Sequence, residues 1–120
     1  MADPTRRYPT REEIDKADDR PYEDVPAPEL GEGACVRVRM MSAAERDSWE
    51  QAHNAAEGEN VTAILLVHTL VHAESGKPLY AVTEAAELGA KGHLWQTRAA
   101  HVALRLNGVA RDSVEQLAKN

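Results

Sequence analysis

The stretch "ACVRVRMMSAAERDSWEQAH", Ala34 to His53, holds a strand pattern followed directly by a helix pattern. In its first part Val36 and Val38 alternate with Arg37 and Arg39, and this period of two is typical of a strand with one buried face. A strand and a helix in such close succession predict a domain in which a small β element packs against helices.

The second part of the stretch has the signals of a helix start. Ser42 stands three residues before Glu45, which is the spacing of a capping box. Trp49 and His53 then fall on one narrow apolar face, with charged residues opposite. We therefore predict a helix from residue 43 to about 57, ended by Gly58.

The residues before Ala34 supply a partner for the predicted strand. Val25 to Leu30 could pair with it antiparallel across the turn at Gly31 to Gly33. Pro26 and Pro28 lack amide donors, so this first strand can only lie at a sheet edge. A two-stranded ribbon over residues 26–40 is too small to be stable alone and must pack on helices.

The chain after Gly58 is predicted to be helical. An apolar run from Val61 to about Ala73, capped by Asn60, is hydrophobic nearly all round and so predicts a central helix. The turn "ESGKPLY" follows it. Three further helices are predicted, at residues 84–88, 90–106 and 113–119. The predicted fold class is therefore α+β: mainly α, with an N-terminal β-hairpin packed on a compact bundle of about five helices.

The chain divides near Pro26. Residues 1–25 carry eight acidic and five basic side chains and few apolar ones, which predicts a mostly disordered arm, although Thr10 to Ile14 resembles a capping box. Residues 26–120 are predicted to form one folded domain, with the ribbon at 26–40 and the helical bundle at 42–120.

The composition excludes several classes of protein. The formal net charge is −6, which disfavours nucleic-acid binding because phosphate neutralisation needs a clustered basic surface. Cys35 is the single cysteine, so an internal disulfide and a Cys-rich zinc site are excluded. No apolar run approaches the ~20 residues that span a bilayer, and the polar N-terminus does not match a signal peptide. We expect a soluble intracellular protein that binds neither nucleic acid nor membrane.

Two histidines raise the question of a metal site. His68 and His72 stand four apart, a spacing at which both imidazoles on one helical face can reach a zinc ion. The zinc-protease signature also needs a glutamate after the first histidine, where this chain has Thr69. A third protein ligand is missing as well, since Glu74 lies off the shared face. We predict a structural role for both histidines and keep His-ligated zinc binding as an alternative.

No catalytic constellation is recognisable in the sequence. Cys35 has no His or Asn partner near it, and the serines lie in no G-x-S-x-G elbow. The chain contains neither a Walker A motif nor a dinucleotide-binding glycine pattern. The prediction is a protein that is not an enzyme and needs no cofactor.

The long helix predicted at residues 90–106 has two apolar stripes. One stripe, which includes Trp95 and Ala99, is predicted to be core. The second stripe consists of Leu94, His101 and Leu104 on roughly the opposite side. A helix with two apolar stripes is either sandwiched between neighbours or offers one of them to a partner. Leu94, His101 and Leu104 are therefore the candidate partner-binding residues.

The order of turns and caps resembles a known family. "VPAPELGEGACVRVRMMSAAERDSWE" is followed by an apolar helix, then "GKPLY", "TEAAELGAK" and the terminal "VALRLNGVARDSVEQLAKN". This series is similar to the tail assembly chaperones of long-tailed bacteriophages and prophages, and the similarity covers Val25 to Asn120. Glu74 stands where that family has an acid before the turn, Tyr80 preserves its aromatic, and the arm before Val25 is not part of the pattern.

The resemblance implies a non-enzymatic function. Tail assembly chaperones bind the tape measure protein and help to recruit tail tube subunits around it. They act in the cytoplasm of the infected or lysogenic bacterial host and are absent from the mature virion. The resemblance also implies self-association and a longer product made by ribosomal frameshifting. Ala118 to Asn120 could be encoded by a slippery A-AAA-AAC run.

Another class of function stays open from the sequence. A small helical adaptor or regulator, such as a phage-encoded protein that acts on a host partner, would have the same composition and the same helical pattern. Neighbouring genes discriminate the two, because a tail chaperone gene lies between the tail tube and tape measure genes.

Overall fold

The computed structural model describes residues 5–109, which form a three-stranded sheet and five α-helices. Two short 3-10 helices, at Pro28–Leu30 and Val82–Glu84, lie in the connections. In chain order the elements are α1 (Arg11–Lys16), β1 (Tyr22–Pro26), β2 (Cys35–Arg39), α2 (Ala43–Ala55), α3 (Val61–Val67), β3 (Leu70–Val71), α4 (Ala85–Gly89) and α5 (His93–Leu106). The α+β class predicted from the sequence is confirmed.

The sheet is antiparallel, with β2 in the centre and β1 and β3 on either side. β1 pairs with β2 from Tyr22 opposite Arg39 to Pro26 opposite Cys35. On one face of the sheet Val25, Val36 and Val38 are buried, as the period of two predicts for the two β2 residues. This face packs against α5, so the hairpin lies on the helices as expected.

The other face of the sheet is held by a charged pair. Arg37 binds both carboxylate oxygens of Asp24, at 2.7 and 3.0 Å, and its guanidinium lies 3.9 Å from the centre of the Tyr22 ring. A third bond, of 2.8 Å, reaches the carbonyl of Ala73 beyond β3. One side chain of β2 is therefore linked both to β1 and to the segment that follows β3.

Acid should weaken this link. Hydrogen bonds from Arg37 lower the pKa of the Asp24 carboxyl. The resulting stability is complete above the unfolded-state pKa of about 4 and is lost as pH falls through the folded value. Since the Asp24 side chain is 47% exposed, we expect a loss below about 1 kcal/mol. Denaturant unfolding of wild type and Asp24→Asn should show a difference at about pH 6 that shrinks towards pH 2. A difference that stays constant would contradict this.

β1 is an edge strand whose outward side is partly closed. The Ala27 amide donates to the Ala34 carbonyl at 2.8 Å, so these two residues form a hydrogen-bonded pair. Such pairs alternate along an antiparallel ladder, and every second β1 residue therefore directs its backbone amide and carbonyl away from β2. The outward residues are Tyr22, Asp24 and Pro26. Pro26 has no amide to offer, and its carbonyl accepts a 2.7 Å bond from Arg98 of α5.

The core is formed mainly by α3 and its neighbours. Five of the seven α3 residues are buried, and the helix contacts α2, α4 and α5. The prediction of a central helix is thus confirmed for Val61–Val67. Among the largest buried side chains from other parts of the chain are Trp49, Leu70, Leu88 and Trp95.

The predicted entry into α2 is confirmed. The Ser42 hydroxyl accepts from the Glu45 amide at 3.1 Å, and the Glu45 carboxylate accepts from the Ser42 amide at 2.8 Å. Trp49 and His53 are buried on the face that the pattern indicated. Asn60, after the end of α2, is the N-cap residue of α3 as predicted. Its backbone is left-handed, however, and its side chain makes no capping hydrogen bond.

The predicted length of the central helix is wrong. α3 ends at Val67, and Leu70 and Val71 form β3, the third strand, instead of a continued helix to Ala73. The Thr69 hydroxyl donates to the Leu65 carbonyl at 3.0 Å, while the Thr69 carbonyl accepts from the Arg39 amide of β2 at 2.9 Å. Thr69 is therefore hydrogen-bonded to the helix through its side chain and to the sheet through its backbone carbonyl.

The predicted division at Pro26 falls inside a strand. β1 begins at Tyr22, within the stretch predicted to be disordered, because β2 supplies the pairing that the local sequence does not indicate. The Thr10–Glu13 capping box is present and opens α1. No α1 residue is buried.

α5 starts three residues later than predicted and ends where predicted. Gly92 is its N-cap. At the other end the Val109 amide donates to the Leu104 carbonyl at 2.9 Å and the Gly108 amide to the Arg105 carbonyl at 3.2 Å, with Gly108 at φ 64°. These two bonds define a Schellman motif, for which glycine is favoured. The helix predicted at 113–119 lies outside the described residues.

Candidate functional site

α5 has one face in the core and one face towards solvent. Its buried residues are Trp95, Gln96, Ala99, Ala100 and Ala103. On the opposite side Leu94 is 60% exposed and His101 is also exposed. Six other large hydrophobic side chains are at least 40% exposed, so Leu94 alone does not mark a binding surface, and the depressions along α5 have to be considered with it.

Three depressions follow one another along one flank of α5, between its buried and its exposed sides. The first, of about 260 Å³, lies at the start of α5. The second is a cleft of about 60 Å³ between α2, α3 and α5, and the third, of about 250 Å³, lies at the end of α5. The first two share Val61 and Thr62, and the last two share Leu104. Because neighbouring depressions share these residues, we name the three together the α5 groove.

The middle of the α5 groove is apolar. It is lined by Trp49, Val61, Thr62, Leu65, Ala100 and Leu104. The first depression has Lys91, His93 and Thr97 on its α5 side, and the third is lined by His101, Leu104, Arg105 and Val109. An apolar centre between two polar ends is the usual layout of a surface that binds another chain.

The three partner-binding candidates from the sequence lie on this side of α5 but differ in exposure. Leu94 is the most exposed and lines none of the three depressions, although its neighbour His93 lines the first. His101 is exposed and lines the third depression. Leu104 is partly buried against the core and lines both the second and the third depressions. The structure therefore brings His101 and Leu104 into one groove, with Leu94 beside it.

The two candidate zinc ligands are not brought together on a helical face. His68 caps α3 and is 6% exposed, whereas His72 follows β3 and is exposed. The His68 Nδ1 bonds the Ile64 carbonyl at 2.7 Å and its Nε2 bonds the Ser48 hydroxyl at 3.0 Å. Both nitrogens are used, as the structural role requires. Within residues 5–109 no group of three or more His, Cys, Asp or Glu residues could hold a metal ion.

The Ser48–His68 contact has the distances of a nucleophile and a base. Ser48, however, lies in the middle of α2, where the backbone amides are bonded within the helix. No backbone amide there is free to hold an oxyanion, which acyl transfer requires. The arrangement is better suited to joining α2 to the end of α3. Cys35, the other nucleophile considered, is exposed on β2.

Two buried polar groups of α2 stand out. The His53 ring is 2% exposed, and both of its nitrogens have no hydrogen-bond partner within the described range 5–109. Trp49 Nε1 is also buried without a hydrogen-bond partner among these residues, and the centroids of the two rings lie 5.4 Å apart. Buried polar atoms without partners cost stability, so these two positions are a local weakness in the core next to the groove.

Several groove residues were missed by sequence reasoning. Lys91, His93, Thr97 and Ala100 line the groove and were not among the binding candidates from the sequence. Their common feature is position on one side of α5, which only the packing of α2 and α3 turns into a groove. The buried Gln96 was also missed. Its amide donates to the Leu88 carbonyl at 2.8 Å and holds the end of α4.

Comparison of the chain with protein-family models, with curated proteins and with solved structures finds no match. Among residues 5–109, no helix has both the length and the apolar character that crossing a bilayer requires.

Proposed function

We propose that this protein is a tail assembly chaperone of a long-tailed phage or prophage, which binds the tape measure protein and helps to recruit tail tube subunits. The observation that carries the proposal is the α5 groove, with the exposed Leu94 beside it. A long helical client exposes apolar stripes, and a small protein with a groove along one helix can cover them. The net charge of −6 would keep the coated complex soluble.

The segments that resemble the family also hold the fold around this groove, which supports the proposal. The capping box at Ser42 positions α2, whose Trp49 forms one wall of the central cleft. The Asn107-Gly108 pair ends α5 beside the third depression, where Val109 forms part of the wall. Turn and cap residues in that order therefore serve to build one surface.

Coexpression with the tape measure protein tests the proposal. The partner to use is the tape measure protein encoded by the same phage or prophage as this chain. We expect the tape measure protein to become soluble and to co-purify, because its apolar stripes would be covered. If it stays insoluble and nothing co-purifies, the chaperone function is wrong. A gene that does not lie between the tail tube and tape measure genes would favour the adaptor alternative.

A charge placed beside the groove should abolish this effect. In Leu94→Glu an apolar side chain that is 60% exposed becomes a carboxylate, and we expect the co-purified tape measure protein to fall at least about tenfold. Ile14→Glu is the matched control, since Ile14 is an aliphatic residue on a helix, 61% exposed and outside the groove. Equal loss in both variants, or loss in neither, would show that Leu94 is not at the contact.

A further inference from the structure

We propose that the α5 groove binds an amphipathic helix of the partner that carries acidic residues at both ends of its apolar stripe. The inference names the chemistry of the bound segment and rests on the proposed function for the identity of the partner. It is carried by the shape of the groove, by the size of its central cleft and by the charge of its ends.

The shape fits a helix. α5 has 14 residues and is therefore about 20 Å long, and the three depressions lie end to end along it. A groove of this length accommodates three to four turns of a second helix laid beside α5.

The central cleft selects the anchor. At about 60 Å³ it is well below the roughly 150 Å³ that takes a benzene molecule in an engineered cavity, so it admits one short aliphatic side chain. Its walls come from three helices. Ala100 forms part of the α5 wall, and its single methyl group leaves the cleft open. A partner leucine, isoleucine or valine would occupy this cleft, while aromatic rings would be excluded by size.

The ends of the groove select for acid. Among the described residues that line it there is no Asp or Glu, although the chain has 20 acidic residues and a net charge of −6. Lys91 lies at the first end and Arg105 at the other. Arg105 forms an ion pair with Glu23 of β1, so a partner carboxylate would share the guanidinium with Glu23, and its side chain is 62% exposed and lines the third depression.

The start of α5 adds to the positive end. Gly92, its N-cap, provides no side-chain bond to the first amides. These free amides give the end of the groove a partial positive charge next to Lys91 and His93. A carboxylate on the partner helix would be bound there by charge and by hydrogen bonds, and a basic segment would be repelled.

Peptide binding to the full-length chain tests the inference. The probes are overlapping peptides of about 20 residues that cover the tape measure protein, read by fluorescence anisotropy. We expect the peptides that bind to have apolar residues at helical spacing with Asp or Glu on both flanks. Ala100→Leu, which fills the cleft, and Lys91→Glu with Arg105→Glu, which reverses both ends, should each weaken binding about tenfold or more. Lys77→Glu, a reversal at an exposed turn away from the groove, should leave it unchanged.

The outcomes separate this inference from the proposed function. If tape measure peptides bind but the groove variants bind them equally well, the inference is overturned while the proposed function stands. If no tape measure peptide binds, the proposed function loses its support. The groove is then decided by two designed amphipathic leucine peptides of about 14 residues, flanked by glutamates or by lysines. Tighter binding of the glutamate form, lost in Ala100→Leu, supports the inference, and equal binding or none overturns it.

Each variant is checked for folding before binding is compared. Thermal unfolding of Ala100→Leu should be within a few degrees of wild type, since a partly open cleft accepts the added carbons. If Ala100→Leu is unfolded, Ala100→Val, which adds only two carbon atoms, replaces it with the same expected loss of binding.

Discussion

Replacing Asn107 by alanine should lower the free energy of unfolding by about 2 to 3 kcal/mol. Its carboxamide oxygen accepts from the Met41 amide at 2.9 Å and its nitrogen donates to the Ala103 carbonyl at 2.7 Å. The side chain therefore ties the connection between β2 and α2 to the end of α5. Alanine leaves the Met41 amide without this acceptor, which costs more than the bond itself contributes. Denaturant unfolding measures the change.

Two variants make the Asn107 prediction specific. Asn107→Asp keeps an oxygen for the Met41 amide, but it loses the donor to Ala103 and places a negative charge at the C-terminus of α5, so its stability should also lie below that of wild type. Asn54→Ala removes an exposed asparagine from α2 and should change stability by no more than about 0.5 kcal/mol. A value for Asn107→Ala as small as that of the control would mean that this link contributes nothing.

His53→Leu should stabilise the protein by about 1 to 2 kcal/mol. The imidazole is buried beside Trp49, and neither of its nitrogens has a partner within the described residues 5–109. Leucine has a similar volume, no polar atoms and a higher helix propensity. Thermal unfolding should show a rise in Tm of about 4 °C or more.

The same substitution at His68 should have the opposite sign. His68→Leu removes the hydrogen bonds to the Ile64 carbonyl and the Ser48 hydroxyl, and we expect a loss of about 1 to 3 kcal/mol. Because the two variants make the same chemical change at buried sites, their difference isolates the hydrogen bonds. If both variants lose stability equally, His53 has a partner contributed from outside residues 5–109.

The elements that the sequence predicted well are those with a local cause. Each depends on residues only a few positions apart. Examples are the capping box at Ser42, the helix end at Gly108 and the alternation of valine with arginine in β2. Local propensity and tertiary structure agree at these places, so the pattern alone was sufficient.

The errors arose where a distant segment decides the structure. Residues 61–73 are an apolar run without glycine or proline, and such a run does not distinguish one helix from a helix followed by a strand. Leu70 and Val71 form a strand because they pair with the side of β2 that β1 leaves open. Tyr22–Pro26 likewise becomes a strand through its pairing, with only one buried valine of its own.

The candidate site was predictable in part for the same reason. The periodicity of α5 placed Leu94, His101 and Leu104 away from the main core stripe. The cleft beside them depends on how α2 and α3 cross α5, and no spacing within one helix contains that information. The charge of the groove ends likewise became visible only when Lys91 and Arg105 were placed on one surface.

The partly closed edge of β1 should limit aggregation of this protein when it is bound to an aggregation-prone partner. Growth of cross-β fibres needs a strand that can template a neighbour through an unbroken row of amides and carbonyls. β1 offers such groups only at Tyr22 and Asp24, because Pro26 has no amide and Arg98 already occupies its carbonyl. Cross-β segments are about six or seven residues long, and two residues fall well short of that. Under the proposed function, many copies can therefore crowd along one tape measure chain without joining each other's sheets.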